Sequence, residues 1–200
     1  MSNIVGVINY GIAGNIFSIK KAIEKAGAKV EVVQSSKELD RVDKIVLPGV
    51  GSFSDGMHEL EKSSLVQSLK KSINDKPTLG ICLGMQLMSK VGFEFGETQG
   101  MGLFDAEVKP MICHGKVPHM GFNSIEVVKD NELLNGLEKE EFYFMHSYEV
   151  VNYTNVTALT EYSGHKFVSA ISKGCVYGVQ FHPEKSRDAG IEVFKNFINI

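Results

Sequence analysis

The stretch from Lys76 to Leu87 constrains this chain more than any other. A Pro-led apolar run, Thr78 to Ile81, reads as the end of a buried strand, and Cys82 follows it at once. Gly80 and Gly84 flank the cysteine, and Met85-Gln86-Leu87-Met88 opens a helix-forming pattern. A strand that passes into a helix over one residue needs a strained turn, and glycines on either side let backbone approach without a Cβ clash. Such a turn leaves the Cys82 sulfur exposed at the carboxyl end of a sheet, beside the positive end of a helix. There a cysteine pKa can fall from about 8.5 to roughly 3.5–7.5, which makes the sulfur a nucleophile. The competing reading is a buried structural cysteine, the commoner fate of a lone Cys.

The segments before it alternate strand and helix. Ile4 to Asn9 is a short apolar strand, followed by a turn, Tyr10-Gly11-Ile12-Ala13-Gly14-Asn15. Ile16, Ile19, Ala22, Ile23 and Ala26 then recur at helical spacing up to Gly27, a helix-ending glycine. Val30–Val33 and Lys44–Leu47 are further strands, the latter ending at Pro48-Gly49-Val50-Gly51, and a helical stretch covers 55–73. This alternation implies an α/β fold, a mostly parallel open sheet with helices on both faces, whose ligands bind beyond the strand carboxyl ends. The glycines of Gly11-Ile12-Ala13-Gly14 do not fit G-x-G-x-x-G, and Val33 is followed by Gln34 rather than an acid, so a dinucleotide site is not expected.

The second half is β-rich: 105–110, 124–128, 141–145, 155–160, 167–172 and 175–181, with Lys173-Gly174 as a hairpin turn. A terminal helix, 186–198, carries Ala189, Val193, Phe194 and Phe197 at helical spacing. Neither linker nor repeat interrupts the chain, so residues 1–200 read as one three-layer domain with an antiparallel β annex. Two hundred residues with 43% hydrophobic content are enough for a full core. A net charge of −3 gives no basic footprint for nucleic acid. The apolar runs are too short for a membrane span, and the N-terminus enters a strand without a basic segment, unlike a signal peptide. Cys82, Cys113 and Cys175 are an odd set without paired spacing, which points to a reducing, cytoplasmic setting.

A cysteine nucleophile needs a base, and the base needs an orienting group. Of the six histidines, His58 on a polar helix and His165 in an expected hairpin loop read as solvated. Cys113-His114 and His119 are single residues rather than paired zinc ligands, so no metal is expected. His146, ending the aromatic run Phe142-Tyr143-Phe144-Met145, is a candidate base. His182 is the stronger one. In Gln180-Phe181-His182-Pro183-Glu184, Pro183 stops the strand, and an extended chain puts residues 182 and 184 on one side, where the carboxylate can fix the imidazole tautomer.

Gly80-Ile81-Cys82-Leu83-Gly84-Met85-Gln86 and Gln180-Phe181-His182-Pro183-Glu184 resemble the two signatures of class I glutamine amidotransferases, and their order and spacing match over essentially the whole chain. Within that class, Tyr10-Gly11 with Gly14-Asn15, Pro48-Gly49-Val50-Gly51, 117–123 and His146-Ser147-Tyr148 are similar to the glutaminase subunits of imidazole glycerol phosphate synthases. The resemblance implies hydrolysis of L-glutamine by a Cys82–His182–Glu184 triad without a cofactor. It implies an oxyanion hole built from Leu83 and Gly49-Val50, and substrate held by Gln86, Ser147 and Tyr148; Gln86 also fits a polar helix residue facing a loop. It further implies a separate cyclase subunit, a (β/α)8 barrel of typically ~250 residues that this chain is too short to contain. Asn15, His119, Met120, Gly121, Asn123, Lys185 and Ser186 would lie at or near the shared face of that heterodimer, with Ser186 also capping the last helix. Asn9 stands where the family usually has Asp and Phe122 where it usually has Trp. These departures leave open a paralogous synthase, such as one amidating a surface sugar; a stand-alone cysteine hydrolase is a further alternative.

Overall fold

The computed structural model describes residues 4–11 and 15–200. Its first half runs β1 (Ile4–Ile8), α1 (Ile16–Ala26), β2 (Lys29–Val33), α2 (Ser36–Leu39), β3 (Lys44–Leu47), α3 (Phe53–Lys62), α4 (Val66–Ser72), β4 (Thr78–Ile81) and α5 (Leu83–Leu87). Strands β5 (Ser89–Gly92), β6 (Thr98–Gln99), β7 (Phe104–Pro110), β8 (His119–Ser124), β9 (Glu126–Val127) and β10 (Glu141–His146) follow. The chain closes with β11 (Tyr148–Val151), β12 (Val156–Tyr162), β13 (His165–Lys173), β14 (Val176–Val179) and α6 (Arg187–Asn199).

The main sheet has the order β2-β1-β3-β4-β14-β13-β12-β9. Its first five strands run parallel, and β13, β12 and β9 continue it antiparallel. Alternation along each central strand explains the layers. Val5, Val7, Val46, Leu79 and Ile81 face a core shared with Ile19 and Ile23 of α1 and Val193, Phe194 and Phe197 of α6. Ile8, Ile45 and Leu47 face the opposite core, with Met57 and Leu60 of α3 and Leu69 of α4. Both faces are therefore dry, as parallel strands require. A mixed four-stranded sheet, β11-β7-β5-β6, and an antiparallel pair, β10-β8, form the annex.

Several elements differ from the sequence reading. The helix expected over 55–73 is two, because the chain turns through Ser63-Ser64-Leu65 and Ser64 takes a positive φ of 59°. The one-turn α2, closed by a Ser35–Glu38 capping box, and the short β5 and β6 were not anticipated. His165 opens β13 rather than sitting in a loop, and its Nε2 lies 2.8 Å from the buried carboxylate of Glu149. Ile12, Ala13 and Gly14 of the first turn lie outside the described residues. Among the described residues, no helix is long and apolar enough to cross a membrane.

Candidate active site

Strands β4 and β14 run side by side in register, Ile81 opposite Val179, so the residues just after them are neighbours. On one side is Cys82, on the other Gln180-Phe181-His182. The backbone of Cys82 has φ 51° and ψ −111°, a conformation an L-residue holds only at a cost of about 1–3 kcal/mol. Two contacts hold it there. The Cys82 N–H donates to Val179 O at 2.7 Å, and the Cys82 carbonyl accepts from Gln86 N at 3.1 Å. Gly84 makes the turn possible, because a Cβ there would lie 1.9 Å from Leu47 O at the end of β3. The sulfur is less open than the sequence suggested, with Cys82 only 7% exposed.

His182 and Glu184 meet at 2.8 Å through Nδ1 and Oε1, both side chains buried. They do so in a 3₁₀ turn, Pro183–Lys185, rather than in the extended segment expected, since Pro183 starts the turn and Lys185 N donates back to His182 O. Nδ1 is therefore the protonated nitrogen facing the carboxylate, and Nε2 is buried without a hydrogen-bond partner. Burial pulls the imidazole pKa down, but the negative charges of an ionised Cys82 and of Glu184 outweigh it and push it up to about 10. The helix after Cys82 is only five residues long, so the strong positive group facing the sulfur is His182 rather than a helix end.

Cys82, Leu83, Gln86, His146, Ser147, Tyr148, His182, Val50 and Gly51 line one cavity of about 230 Å³, together with Glu94, Pro118 and Met145. The structure thus brings the triad candidates, the loop after β3 and the Ser147-Tyr148 segment to one place. Gln86 lines that cavity but its amide is committed: Nε2 donates to Tyr148 O and Gln180 Oε1, each at 3.0 Å. Gln180 in turn donates from Nε2 to the Cys82 sulfur at 3.5 Å, a contact the sequence reading assigned to no residue. Glu94 was missed as well; its Oε2 accepts from Phe53 N at 2.7 Å at the start of α3, leaving a carboxylate at the cavity wall. Gln180 was detectable from its place beside His182, whereas nothing around Glu94 in sequence marks it.

His146, the rival base, is held elsewhere. Its Nδ1 donates to Tyr148 O at 2.9 Å, so its Nε2 is the acceptor for His119 Nδ1 at 3.2 Å. Burial pushes both imidazoles down to about 4, so they are neutral. His119 itself is 2% exposed, its ring stacked between Phe144 and Tyr162 behind the surface. Ser186 is likewise buried, and its hydroxyl donates to His182 O and accepts from Tyr143 N instead of capping α6. Asn15 turns inward: with φ 74° it donates from Nδ2 to Glu184 Oε1, sharing that oxygen with His182. Asn123 donates to Glu161 O at 2.9 Å. Met120 is 58% exposed, Gly121 has φ 135°, and Lys185 lies open beside the Tyr143 ring. Among the described residues, no group of His, Cys, Asp and Glu is arranged to hold a metal ion.

Residues 7–200 match the family Glutamine amidotransferase class-I. The imidazole glycerol phosphate synthase subunit HisH 1 of Campylobacter jejuni (strain RM1221) is 39% identical over 201 residues, covering 98% of this chain and all of that protein. Subunit HisH of Moorella thermoacetica is 41% identical over 197 residues, 96% of this chain and 93% of its own length. A crystal structure of a glutamine amidotransferase superposes with a TM-score of 0.77 over 98% of this chain and 99% of its own, at 18% identity, which speaks for the fold alone. The chain belongs to the class I glutamine amidotransferases, in the branch of the imidazole glycerol phosphate synthase HisH subunits.

Proposed function

We propose that this chain, as one amidotransferase domain in the cytoplasm, hydrolyses L-glutamine to glutamate and ammonia. The ammonia passes to a separate (β/α)8 cyclase subunit that makes imidazole glycerol phosphate and aminoimidazole carboxamide ribotide. The observation that carries the reading is the strained Cys82 in one cavity with a His182 whose Nδ1 is held by Glu184.

The Cys82 thiolate attacks the side-chain amide carbon of glutamine, and the carbonyl electrons move onto oxygen. The Leu83 N–H and a peptide N–H of Gly49-Val50 receive that oxyanion. The His182 imidazolium protonates the departing nitrogen, ammonia leaves, and a thioester remains. Neutral His182 then takes a proton from water as it attacks the thioester, and the thiolate is expelled to free glutamate. Glu184 stabilises the imidazolium in both halves. The Glu94 carboxylate is the group at the wall suited to the substrate's ammonium, and Gln86 with the Ser147-Tyr148 backbone shapes the amino-acid end. Gln180 hydrogen-bonds the sulfur and so steadies the attacking charge. The exposed Met120 and Lys185, with Gly121 and Asn123, form the face offered to the cyclase.

The test is Cys82→Ala in complex with the cyclase. Glutamate release should vanish, while product formation with added ammonium salt should persist, because the synthase needs only ammonia. More than a few per cent of residual glutaminase activity would sink the assignment. Failure of ammonia to reach product in the wild-type complex would point to the paralogous synthase as partner.

A further inference from the structure

The loop proposed above to receive the oxyanion is tied down by a residue that no step of that chemistry uses. Strands β1 and β3 are parallel neighbours, Val7 beside Val46, so Tyr10 comes to lie against Pro48. The Tyr10 hydroxyl donates to Pro48 O at 2.8 Å, wholly buried, and the residue is 2% exposed. The contact continues into the next residue. A Cβ on Gly49 would lie 2.8 Å from the Tyr10 oxygen, 2.7 Å from Leu83 Cβ and 2.9 Å from Gly84 N. Tyr10, Gly49 and the first residues of α5 are therefore packed to contact, with Val50 and Gly51 beyond them on the cavity wall beside Cys82. In a trans peptide the N–H points opposite to its carbonyl, so a hydroxyl that holds Pro48 O also fixes where Gly49 N–H points. Rotation is then confined to the peptide that follows, Gly49–Val50.

We propose that Tyr10 is a positioning residue for the oxyanion loop: its hydroxyl anchors the Pro48 carbonyl and thereby fixes the Gly49 N–H, and with it the point from which the Gly49–Val50 peptide turns, relative to Cys82. The proposal rests on the glutaminase reading and names a residue outside the triad, the cavity wall and the cyclase face. A phenylalanine at this position keeps the buried ring and removes only the anchor. Removing an oxyanion donor outright costs about 10²–10³ in rate, and a misplacement of about 1 Å costs about 10².

The experiment compares wild type and Tyr10→Phe in the full chain with the cyclase present, by two reactions of Cys82. Glutamine hydrolysis passes through a tetrahedral oxyanion; alkylation of the sulfur by iodoacetamide does not. The expected result is a kcat for glutamine lowered by about 10- to 100-fold with KM within about threefold, and an alkylation rate against pH that overlays wild type. A kcat within twofold of wild type overturns the proposal, and so does an alkylation rate that falls in parallel, since the hydroxyl then acts on the sulfur or on the fold. A melting temperature for both proteins separates the second case from simple destabilisation. If wild type itself releases no glutamate, the glutaminase reading fails instead, and the two failures are distinct.

Discussion

His182 carries two opposing influences, and their balance sets its chemistry. Burial favours the neutral ring, yet an ionised Cys82 and Glu184 together raise its pKa to about 10. On the mechanism proposed above, the imidazolium is thus ready at neutral pH to protonate the departing nitrogen, and that capacity is lost only as pH climbs towards 10. With the cyclase present, kcat/KM should hold through mildly alkaline pH and then fall. Glu184→Gln removes one of the raising charges, so its alkaline limb should move to lower pH; an unmoved limb would show that the carboxylate does not act on the ring. His182→Asn should lower turnover by several orders of magnitude, as loss of one member of a catalytic unit does. His146→Asn should act mainly on KM, because its Nδ1–H bonds to Tyr148 O, on the cavity wall, rather than to a reacting atom. Kinetics of the two variants in parallel separate the roles, and a deader His146→Asn would reverse them. The triad candidates were legible in sequence because a strand-ending Cys between glycines and a His-Pro-Glu run each carry local geometry. Gln180, which bonds the sulfur, shares the marked run with His182, whereas Glu94 reaches the cavity from the loop after β5, which a linear reading does not contain.

At the scale of elements, legibility followed length and pattern. The parallel strands β1, β3 and β4 are continuous apolar runs, and α1 repeats its apolar positions up to Gly27, so all were readable. The break between α3 and α4 was not, because the apolar positions on either side of Ser63-Ser64 keep helical spacing while Ser64 turns the chain. The pairing of β8 with β10 was hidden for a different reason: it sets His119 opposite His146, residues 27 positions apart with no shared motif. That pairing has a measurable consequence. Both rings titrate near 4 in the fold and near 6.5 when unfolded. Between those values the unfolded chain binds more protons, so this contribution is complete above about pH 6.5 and is lost as pH falls towards 4. At its steepest it amounts to about 1.4 kcal/mol per pH unit for each ring. Denaturant melts at pH 7, 5.5 and 4.5 should show His119→Gln and His146→Gln each flattening that slope by about one proton. Slopes equal to wild type would mean the pair titrates normally.

Across the whole molecule, the site lies where three parts of the fold converge: the carboxyl ends of β3, β4 and β14, the β10–β11 segment from the annex, and the start of α1, where Asn15 meets Glu184. Helices on both faces lock the sheet, so the triad has little freedom. The Gly49–Val50 peptide is different. Pro48 before it is held by Tyr10, and Gly51 after it sits at φ 112°, open at the surface. Glycine lets one peptide turn over at little cost without moving its neighbours. On the mechanism proposed above, one orientation presents an N–H to the oxyanion and the other lacks that donor, at a loss of about 10²–10³ in rate. A subunit that released ammonia without its synthase would waste it, and this peptide is the part of the site whose change needs no rearrangement of the core. The isolated chain should therefore hydrolyse glutamine barely at all. Adding the cyclase with its nucleotide ligand should raise kcat by at least about 10², with a much smaller change in KM, because the gained donor acts on the transition state rather than on bound substrate. Steady-state glutamate release with and without the cyclase measures both terms. Equal rates in the two states would rule out gating at this peptide and leave a hydrolase that works alone.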